Sequence, residues 1–306
     1  MNTNQKYNDD ALEQSALFEF SPVPGGLRVV GFSNPKRLAK ITVPEQVDRL
    51  KVVELCENCF EAQREITEVE LPATIQRIPA HCFSGCWNLE KINIPNSVEA
   101  IERNAFFSCD HLTSVIIPDN VKVIEAEAFA YCAHLNNIKL SEGVKTIGQC
   151  AFAHCDNLSN LQIPNSVNSI GQGVFCGCSQ LSGLILPNGI KTIEKDTFAY
   201  CTNLSEVILP DSVETIKYGA FRQCFNLTKI TIPNGVKTIG KYAFMSCFEL
   251  SSVTLPKTLE IIKGYAFYAC SGLTEITIPH SVKTIKKSAF LNCTSLTNII
   301  ISGGSN

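Results

Sequence analysis

Hydrophobic residues recur along most of this chain in one pattern, with a period of 23 residues. In the unit spanning residues 227–249, Leu227, Ile230 and Ile232 are apolar, and the residue between the two isoleucines is polar. This alternation is typical of a short strand with one buried face. Pro233 follows directly, and because proline cannot donate a ladder hydrogen bond, it is expected to end the strand.

The second half of the same unit predicts a return of the chain towards the core. Asn234–Gly235 supplies turn-forming residues. Val236 and Ile239 then point inward along a second wall of the coil. Ala243–Phe244 is predicted to form a helical turn, which Cys247 closes.

Three residue types hold fixed positions in this period. The phenylalanines, which show no gap, are Phe60, Phe83, Phe106, Phe129, Phe152, Phe175, Phe198, Phe221, Phe244, Phe267 and Phe290. The cysteines are Cys86, Cys109, Cys132, Cys155, Cys178, Cys201, Cys224, Cys247, Cys270 and Cys293. Most units also carry a proline, with Ser141 and Ser302 in two of the proline positions. A 23-residue unit is too short to bury its own apolar residues and must stack on copies of itself, so the sequence predicts a solenoid.

The expected organisation has three parts. Residues 1–16 are polar and predicted to be flexible. Residues 17–37 contain two apolar stretches around Pro22–Gly26, which indicates a β-hairpin that caps the first coil. Residues 38–306 form about eleven coils, of which the first is longer by five residues, within Glu45–Lys51.

The repeat resembles a known family. Leu135–Cys155 matches the pattern Leu-x-x-Ile-x-Ile-Pro-x-x-Val-x-x-Ile-Gly-x-x-Ala-Phe-x-x-Cys of the BspA-like leucine-rich repeats, with Ser141 replacing proline. The match covers about residues 38–302, and family members have a similar insertion in their first repeat. The resemblance implies a right-handed leucine-rich repeat solenoid, with a parallel β-sheet on one face and short turns or helical turns on the other. It also implies a non-enzymatic role in protein binding, often adhesion by surface proteins of bacteria and some protists.

The chain ends part-way through a unit, at Ser302–Asn306. The last coil is therefore expected to be uncapped, and an unprotected edge promotes association. The expectation is either a fragment of a longer protein or contacts through this coil.

The composition restricts the classes of binding partner that are expected. The net charge of −3 and the pI near 6.0 argue against nucleic acid, whose binding proteins are strongly basic. No apolar run reaches about 18 residues, so no membrane insertion is predicted, and the polar start of the chain is not a secretory signal. The family resemblance suggests the cell surface or secretion, but no signal or anchor is visible, so localisation stays open.

The 15 cysteines are best explained as small buried residues, since ten of them share one position. Oxidative pairing between stacked cysteines remains open. Cys56-x-x-Cys59 and Cys176-x-Cys178 have spacings seen in metal sites, but neither has a second pair, which argues against zinc.

His111 and His134 occupy equivalent positions in adjacent units and should stack. A metal site there needs further ligands that the pattern does not supply, so loop histidines are the favoured interpretation. No phosphate-binding loop, paired-carboxylate signature or Gly-x-Ser-x-Gly motif occurs, so no enzyme, metal or cofactor is predicted.

Two groups of residues are candidate partner-binding sites. Outward positions of the predicted sheet include Ile116, and Ile185 next to Ile208. The simpler explanation is that β-branched residues suit strands. The second group consists of Phe225, Met245, Phe248 and Tyr268, residue types enriched at interfaces, which packing against their own loops would also explain.

Charge is uneven along the chain. Residues 213–306 contain ten Lys or Arg and four acids, a net charge of +6, so the remainder carries −9. Such asymmetry could steer a partner or cause head-to-tail association.

The favoured function is a scaffold for protein–protein recognition or adhesion, with a host or extracellular-matrix protein as a possible partner. One alternative is a structural spacer within a larger surface protein. Another is a glycan-binding module using Trp87, Phe225 or Tyr265 as aromatic platforms.

Overall fold

The structure is a computed structural model that describes residues 15–303. Most of the predicted flexible segment, residues 1–14, lies outside the described residues. The strands are β1 Phe18–Val23, β2 Gly26–Phe32, β3 Lys40–Thr42, β4 Gln46–Val47, β5 Leu50–Leu55, β6 Glu68–Glu70, β7 Arg77–Ile78, β8 Lys91–Ile92, β9 Ala100–Ile101, β10 Ser114–Ile116, β11 Val123–Ile124, β12 Asn137–Lys139, β13 Thr146–Ile147, β14 Ser169–Ile170, β15 Gly183–Ile185, β16 Thr192–Ile193, β17 Glu206–Ile208, β18 Thr215–Ile216, β19 Lys229–Thr231, β20 Thr238–Ile239, β21 Ser252–Thr254, β22 Ile261–Ile262, β23 Glu275–Ile278, β24 Thr284–Ile285 and β25 Asn298–Ile301.

The N-terminal hairpin is confirmed. Strands β1 and β2 pair antiparallel, and β2 then pairs in parallel with β5 of the first coil. The extra residues of this coil form a second hairpin, β4–β5. Asp48 and Arg49 at its tip have φ angles of 49° and 66°, as a tight two-residue turn requires. The cap is therefore a four-stranded sheet, in the order β1-β2-β5-β4, which combines the hairpin with the insertion.

The predicted parallel strands are also confirmed and form what we call the first sheet. It is made of β3-β6-β8, β10-β12, β15-β17, β19-β21 and β23-β25, each pairing with the equivalent strand of a neighbouring coil. Central residues such as Val115, Leu184 and Val207 are buried, while the flanking residues face solvent. Val253 of β21 is half-buried, and Ile299 of the last strand, β25, is exposed. The solenoid has about twelve coils, since a further first-sheet strand follows the last phenylalanine.

A second parallel sheet lines the wall that the sequence analysis left without a defined structure. Its two-residue strands form two ladders, β14-β13-β11-β9-β7 and β16-β18-β20-β22-β24. The second residue of each strand is an isoleucine, such as Ile147 or Ile216, which is buried in the core in every strand except β24, where Ile285 is 48% exposed.

The segment around each phenylalanine forms turns, and the helical turn predicted there is not formed. In every coil, the residues two before and two after the phenylalanine have φ near +60°, as at Tyr242 and Ser246 around Phe244. Such left-handed residues interrupt a helix. They also let alternate N–H groups point along the solenoid: Phe244 donates to the Ala266 carbonyl oxygen in the next coil at 2.7 Å. We call this third wall the turn side.

The phenylalanines and the cysteines form two of the columns in the core, next to buried leucine, isoleucine and valine residues. The phenylalanine rings stack coil on coil, with centroids 4.9–6.1 Å apart and interplanar angles of at most 20°. Phe18 and Phe32 of the cap lie against Phe60 and continue the aromatic column. The predicted burial of the column cysteines is confirmed, except that Cys293 in the last turn is only half-buried.

The ladders of both sheets are interrupted together at one point of the solenoid. On the first sheet, Asn160 makes a single bridge to Asn137, and its coil contributes no strand. On the second sheet, β14 and β16 belong to different ladders. Across this point the Phe175 and Phe198 rings are 5.5 Å apart, and the largest separation between the repeat phenylalanines, 6.1 Å between Phe152 and Phe175, lies at the preceding interface. The turn side remains bonded across this point, with the Phe175 N–H donating to the Thr197 carbonyl oxygen at 2.9 Å, so the two coils part mainly at their sheets.

Candidate functional site

Outside its last strand, β25, the outward isoleucines of the first sheet are its most exposed apolar side chains. Ile116, Ile185 and Ile208 are 68%, 65% and 49% exposed. Ile185 and Ile208 lie side by side in the register of β15 and β17, which confirms their expected adjacency. Ile116 lies opposite Lys139 in the next coil and stands apart from this pair.

Shallow grooves follow the first sheet between Thr42 and Pro187. One of about 610 Å³ lies where the ladders are interrupted, between the coils of Asn160 and Gly183, with Ile185 on its border. Ile116 borders two further grooves, each of about 510 Å³. The mixed lining of polar and apolar groups, open to solvent, suits the contact surface of a polypeptide better than an enclosed small-molecule pocket.

The aromatic group occupies a different wall, the turn side and the loop that follows it. The Phe225 and Phe248 rings stack at 5.0 Å, and of the two, only Phe248 is exposed. Met245 and Tyr268 are half-buried, and the Tyr268 hydroxyl accepts a hydrogen bond from the Asn292 amide at 3.0 Å. Packing within the solenoid therefore accounts for most of this group, and the structure does not bring it next to the isoleucines.

A basic, tyrosine-lined hollow lies next to the second sheet. Lys195, Tyr218, Lys241 and Lys263 border a volume of about 370 Å³. The Lys241 ammonium lies 4.7 Å from the centre of the Tyr242 ring, a cation–π arrangement. The sequence analysis did not identify this hollow, because its lysines come from separate units of the sequence.

Ion pairs between adjacent coils offset part of the surface charge. Lys217 pairs with Glu194 at 2.7 Å, and Lys229 pairs with Glu206 at 3.0 Å. Lys283 and Glu260 are 2.9 Å apart, and this lysine lowers the pKa of the glutamate. Because the partners are largely exposed, each pair contributes little to stability.

The proposed glycan platforms are partly occupied by their neighbours. The Arg64 guanidinium lies 4.0 Å above the Trp87 ring, although the tryptophan remains 48% exposed. Tyr265 stacks on Tyr242 at 5.2 Å. These aromatic faces are therefore less available to a sugar than their sequence positions suggested.

Among the thiols, the Cys56–Cys59 pair differs from the column. Burial raises the pKa of the fully buried column thiols, that of Cys132 to about 12, whereas the side-chain hydrogen bond with Cys270 lowers the pKa of half-buried Cys293 in the last turn. Cys56 is only half-buried, and the hydrogen bond from the Cys59 thiol lowers its pKa to about 7. The same hydrogen bond raises the pKa of Cys59.

The last described coil exposes its apolar residues. Ile299, Ile300 and Ile301 of β25 are 54%, 42% and 74% exposed. The positions equivalent to Ile299 and Ile301 in the preceding coil, Ile276 and Ile278, are buried, whereas the position of Ile300 faces outward in the other coils as well. Within residues 15–303, no helix is long and apolar enough to cross a membrane.

This arrangement defines a repeat scaffold with an extended surface, a class of fold that is typically non-enzymatic. The family model described as the BspA type leucine-rich repeat region matches residues 28–133, 53–182, 99–228 and 214–306. The chain therefore belongs to the BspA-type leucine-rich repeat family.

Solved structures agree with this assignment. A leucine-rich cell surface protein from Faecalibacterium prausnitzii is 26% identical, with 94% of each chain covered and a TM-score of 0.54. The leucine-rich repeat protein of T. pallidum is 28% identical over 70% of this chain and 89% of its own, with a TM-score of 0.52. The pneumococcal vaccine antigen PcpA shares the fold, with 23% identity, 92% and 78% coverage and a TM-score of 0.65. No curated protein sequence matches the chain.

Proposed function

We propose that this protein is a non-enzymatic scaffold that binds a protein partner through the first sheet, as an adhesion module at the cell surface. The observation that carries the proposal is the placement of Ile116 and Ile185, exposed side chains that border the grooves of this sheet, with exposed Ile208 beside Ile185. Exposed apolar groups within a polar surface are typical energetic centres of protein interfaces.

The family and its relatives supply the cellular setting of the proposal. The F. prausnitzii protein is described as a cell surface protein, and the repeat family is a scaffold for protein interactions. A host or extracellular-matrix protein is accordingly the partner class we propose.

The Ile185–Ile208 pair is the sharpest test of the binding face. Individually purified extracellular-matrix and host-surface proteins are titrated against the immobilised chain at physiological salt. The double variant Ile185→Glu with Ile208→Glu should weaken binding of an identified partner at least ~10-fold, because two apolar contacts are replaced by charges that lose water on binding.

A matched control lies on the same sheet. Thr231→Glu with Thr254→Glu adds the same two charges at outward, exposed positions of β19 and β21. Equal loss in both double variants would mean that charge alone weakens binding, and unchanged affinity in the isoleucine variant would exclude this face. Loss on Phe225→Ala with Phe248→Ala instead would place the partner on the aromatic group.

Absence of any protein partner would favour the spacer alternative. The same titration with oligosaccharides tests the glycan module, for which Trp87→Ala is the informative variant. The partly covered ring of Trp87 makes this the weaker candidate.

A further inference from the structure

Three potential metal ligands meet on the loop between the turn side and the first sheet, in two adjacent coils. Asp110 and His111 follow Cys109, and His134 is the equivalent of His111 one coil later. One nitrogen of each imidazole and one oxygen of the Asp110 carboxylate lie within 4.8 Å of one another. The two rings are 5.3 Å apart but tilted by 53°, so the histidines are adjacent as expected but their rings do not stack.

The tautomer of the neutral His134 imidazole follows from the group that its Nδ1 faces. Its Nδ1 lies 2.9 Å from the carbonyl oxygen of Asp110. A carbonyl oxygen only accepts hydrogen bonds, so Nδ1 carries the proton and the lone pair is on Nε2. A histidine that binds a metal is commonly fixed in this way, with its other nitrogen donating to a carbonyl group.

His111 is fixed by a side chain. Its Nδ1 is 3.0 Å from Oδ1 of Asn88, and the Asn88 amide nitrogen donates to the Arg64 carbonyl oxygen at 2.7 Å. The second contact fixes the orientation of the amide, so its oxygen faces the histidine. His111 therefore also carries its proton on Nδ1 and has a free lone pair on Nε2.

The backbone holds both histidines in register. The His111 N–H donates to the Trp87 carbonyl oxygen at 2.9 Å, and the His134 N–H donates to the Asp110 carbonyl oxygen at 3.1 Å. The coil spacing, set by the buried column beneath, thus determines the distance between the ligands.

We propose that Asp110, His111 and His134 bind a divalent transition metal ion of the zinc type. Two imidazoles and one carboxylate are ligands that zinc accepts at about 2.0–2.2 Å, which in a tetrahedral site places donor atoms about 3.3–3.6 Å apart. Side-chain rotations of the two exposed histidines and half-buried Asp110 bring the set together from separations of up to 4.8 Å. Magnesium and calcium prefer oxygen ligands throughout and are poor candidates. Because both histidines are exposed, a fourth position is open to water or to a side chain of a binding partner.

The test is calorimetric titration of the full chain with zinc chloride, with cobalt(II) absorption as a second measurement. One ion per chain is expected with micromolar affinity, together with a cobalt spectrum free of the charge-transfer band of thiolate ligands. His134→Ala and Asp110→Ala should each weaken binding at least ~10-fold. Asn88→Ala should weaken it ~10-fold or more through His111, as loss of an outer hydrogen-bond partner does in known sites.

Three variants serve as controls that should leave zinc affinity within about twofold. His280→Gln removes an exposed histidine elsewhere, and Asp156→Asn removes the carboxylate two coils along from Asp110. Cys56→Ser removes the most acidic thiol. No zinc binding by the wild type up to millimolar concentration would overturn the proposal. So would binding that survives the His134 and Asp110 changes, or binding that is lost with Cys56. The outcome is independent of the partner titrations, because the site lies outside the first-sheet residues tested there.

Discussion

The thiol of Cys201 donates a hydrogen bond to the carbonyl oxygen of Phe175, in the coil before it, at 3.0 Å. The same oxygen accepts the N–H of Cys178 within its own coil. All ten column cysteines make the equivalent contact with the preceding coil, at 2.9–3.2 Å. Each thiol of the column thus donates a hydrogen bond to the preceding coil. This contact explains why cysteine occupies a position where alanine would also fit.

Removal of one thiol from this column should destabilise the solenoid. We expect Cys201→Ala to lower the free energy of unfolding by about 1–2 kcal/mol, from a small cavity and one lost hydrogen bond. Cys201→Ser keeps a donor at the position and should lose less. Urea unfolding followed by circular dichroism measures both, and a serine variant less stable than the alanine variant would contradict a stabilising role of the donor.

At the left-handed positions of the turn side, glycine should be more stable than a residue with a side chain. Gly85 has φ of +71°, and a Cβ added there would lie 3.6 Å from the nearest atom. Gly85→Ala therefore meets backbone strain without a clash and should cost about 1–2 kcal/mol. The urea midpoint should fall accordingly.

Introducing glycine at a left-handed position that carries another residue should have the opposite effect. Ser108 occupies the equivalent position one coil later with φ of 55°, and Ser108→Gly should stabilise by up to about 1 kcal/mol. Ser84→Gly, one residue after a column phenylalanine and outside the left-handed region, should destabilise instead. Equal effects of the two serine changes would mean that left-handed strain does not matter here.

The cap should stabilise the first coil through its aromatic residues. Phe18 is buried and contacts Phe60 with ring centres 6.1 Å apart. We expect Phe18→Ala to cost about 3–5 kcal/mol and to speed amide exchange in β2 and β5 first. Val30→Ala changes an exposed residue of the same hairpin and should stay within about 0.5 kcal/mol. Uniform loss of protection along all coils would argue against a local capping role.

The sequence predicted the columns but not the conformation of the turn side. Leucine, isoleucine, phenylalanine and cysteine recur because each column offers one volume per coil, and that regularity is visible without coordinates. The left-handed positions are occupied by residues as different as Asn104, Glu127 and Tyr242, so no glycine pattern marks them. The strain is offset by hydrogen bonds between coils, a term that depends on stacking and not on local sequence.

For the candidate sites too, some features could be predicted from the sequence and others could not. The Ile185–Ile208 adjacency follows from the period alone. By contrast, the distance between Asp110 and His134 depends on the conformation of the loops in the two adjacent coils. Likewise, the groove beside Ile185 results from an interrupted sheet at Asn160, and no residue pattern marks that interruption.

The last prediction concerns the reactivity of Cys56. The hydrogen bond from the Cys59 thiol lowers the pKa of Cys56 to about 7, and the charge of Arg28 acts in the same direction. The thiolate is the reactive form, so Cys56 should be the first cysteine alkylated by iodoacetamide in the folded protein. Its rate should fall about fivefold from pH 7 to pH 6 and rise less than twofold from pH 7 to pH 8, whereas an ordinary thiol gains about tenfold over the second interval.

Peptide mapping by mass spectrometry measures each site separately. Cys150 is also half-buried, but burial raises its pKa, so it should remain slow and serve as the internal reference. Cys59→Ala removes the donor, returns the pKa of Cys56 towards the ordinary range and should slow its alkylation at pH 7 several-fold. A rate at Cys56 that still rises tenfold between pH 7 and pH 8 in the unmodified sequence would show that the Cys59 thiol does not stabilise its thiolate.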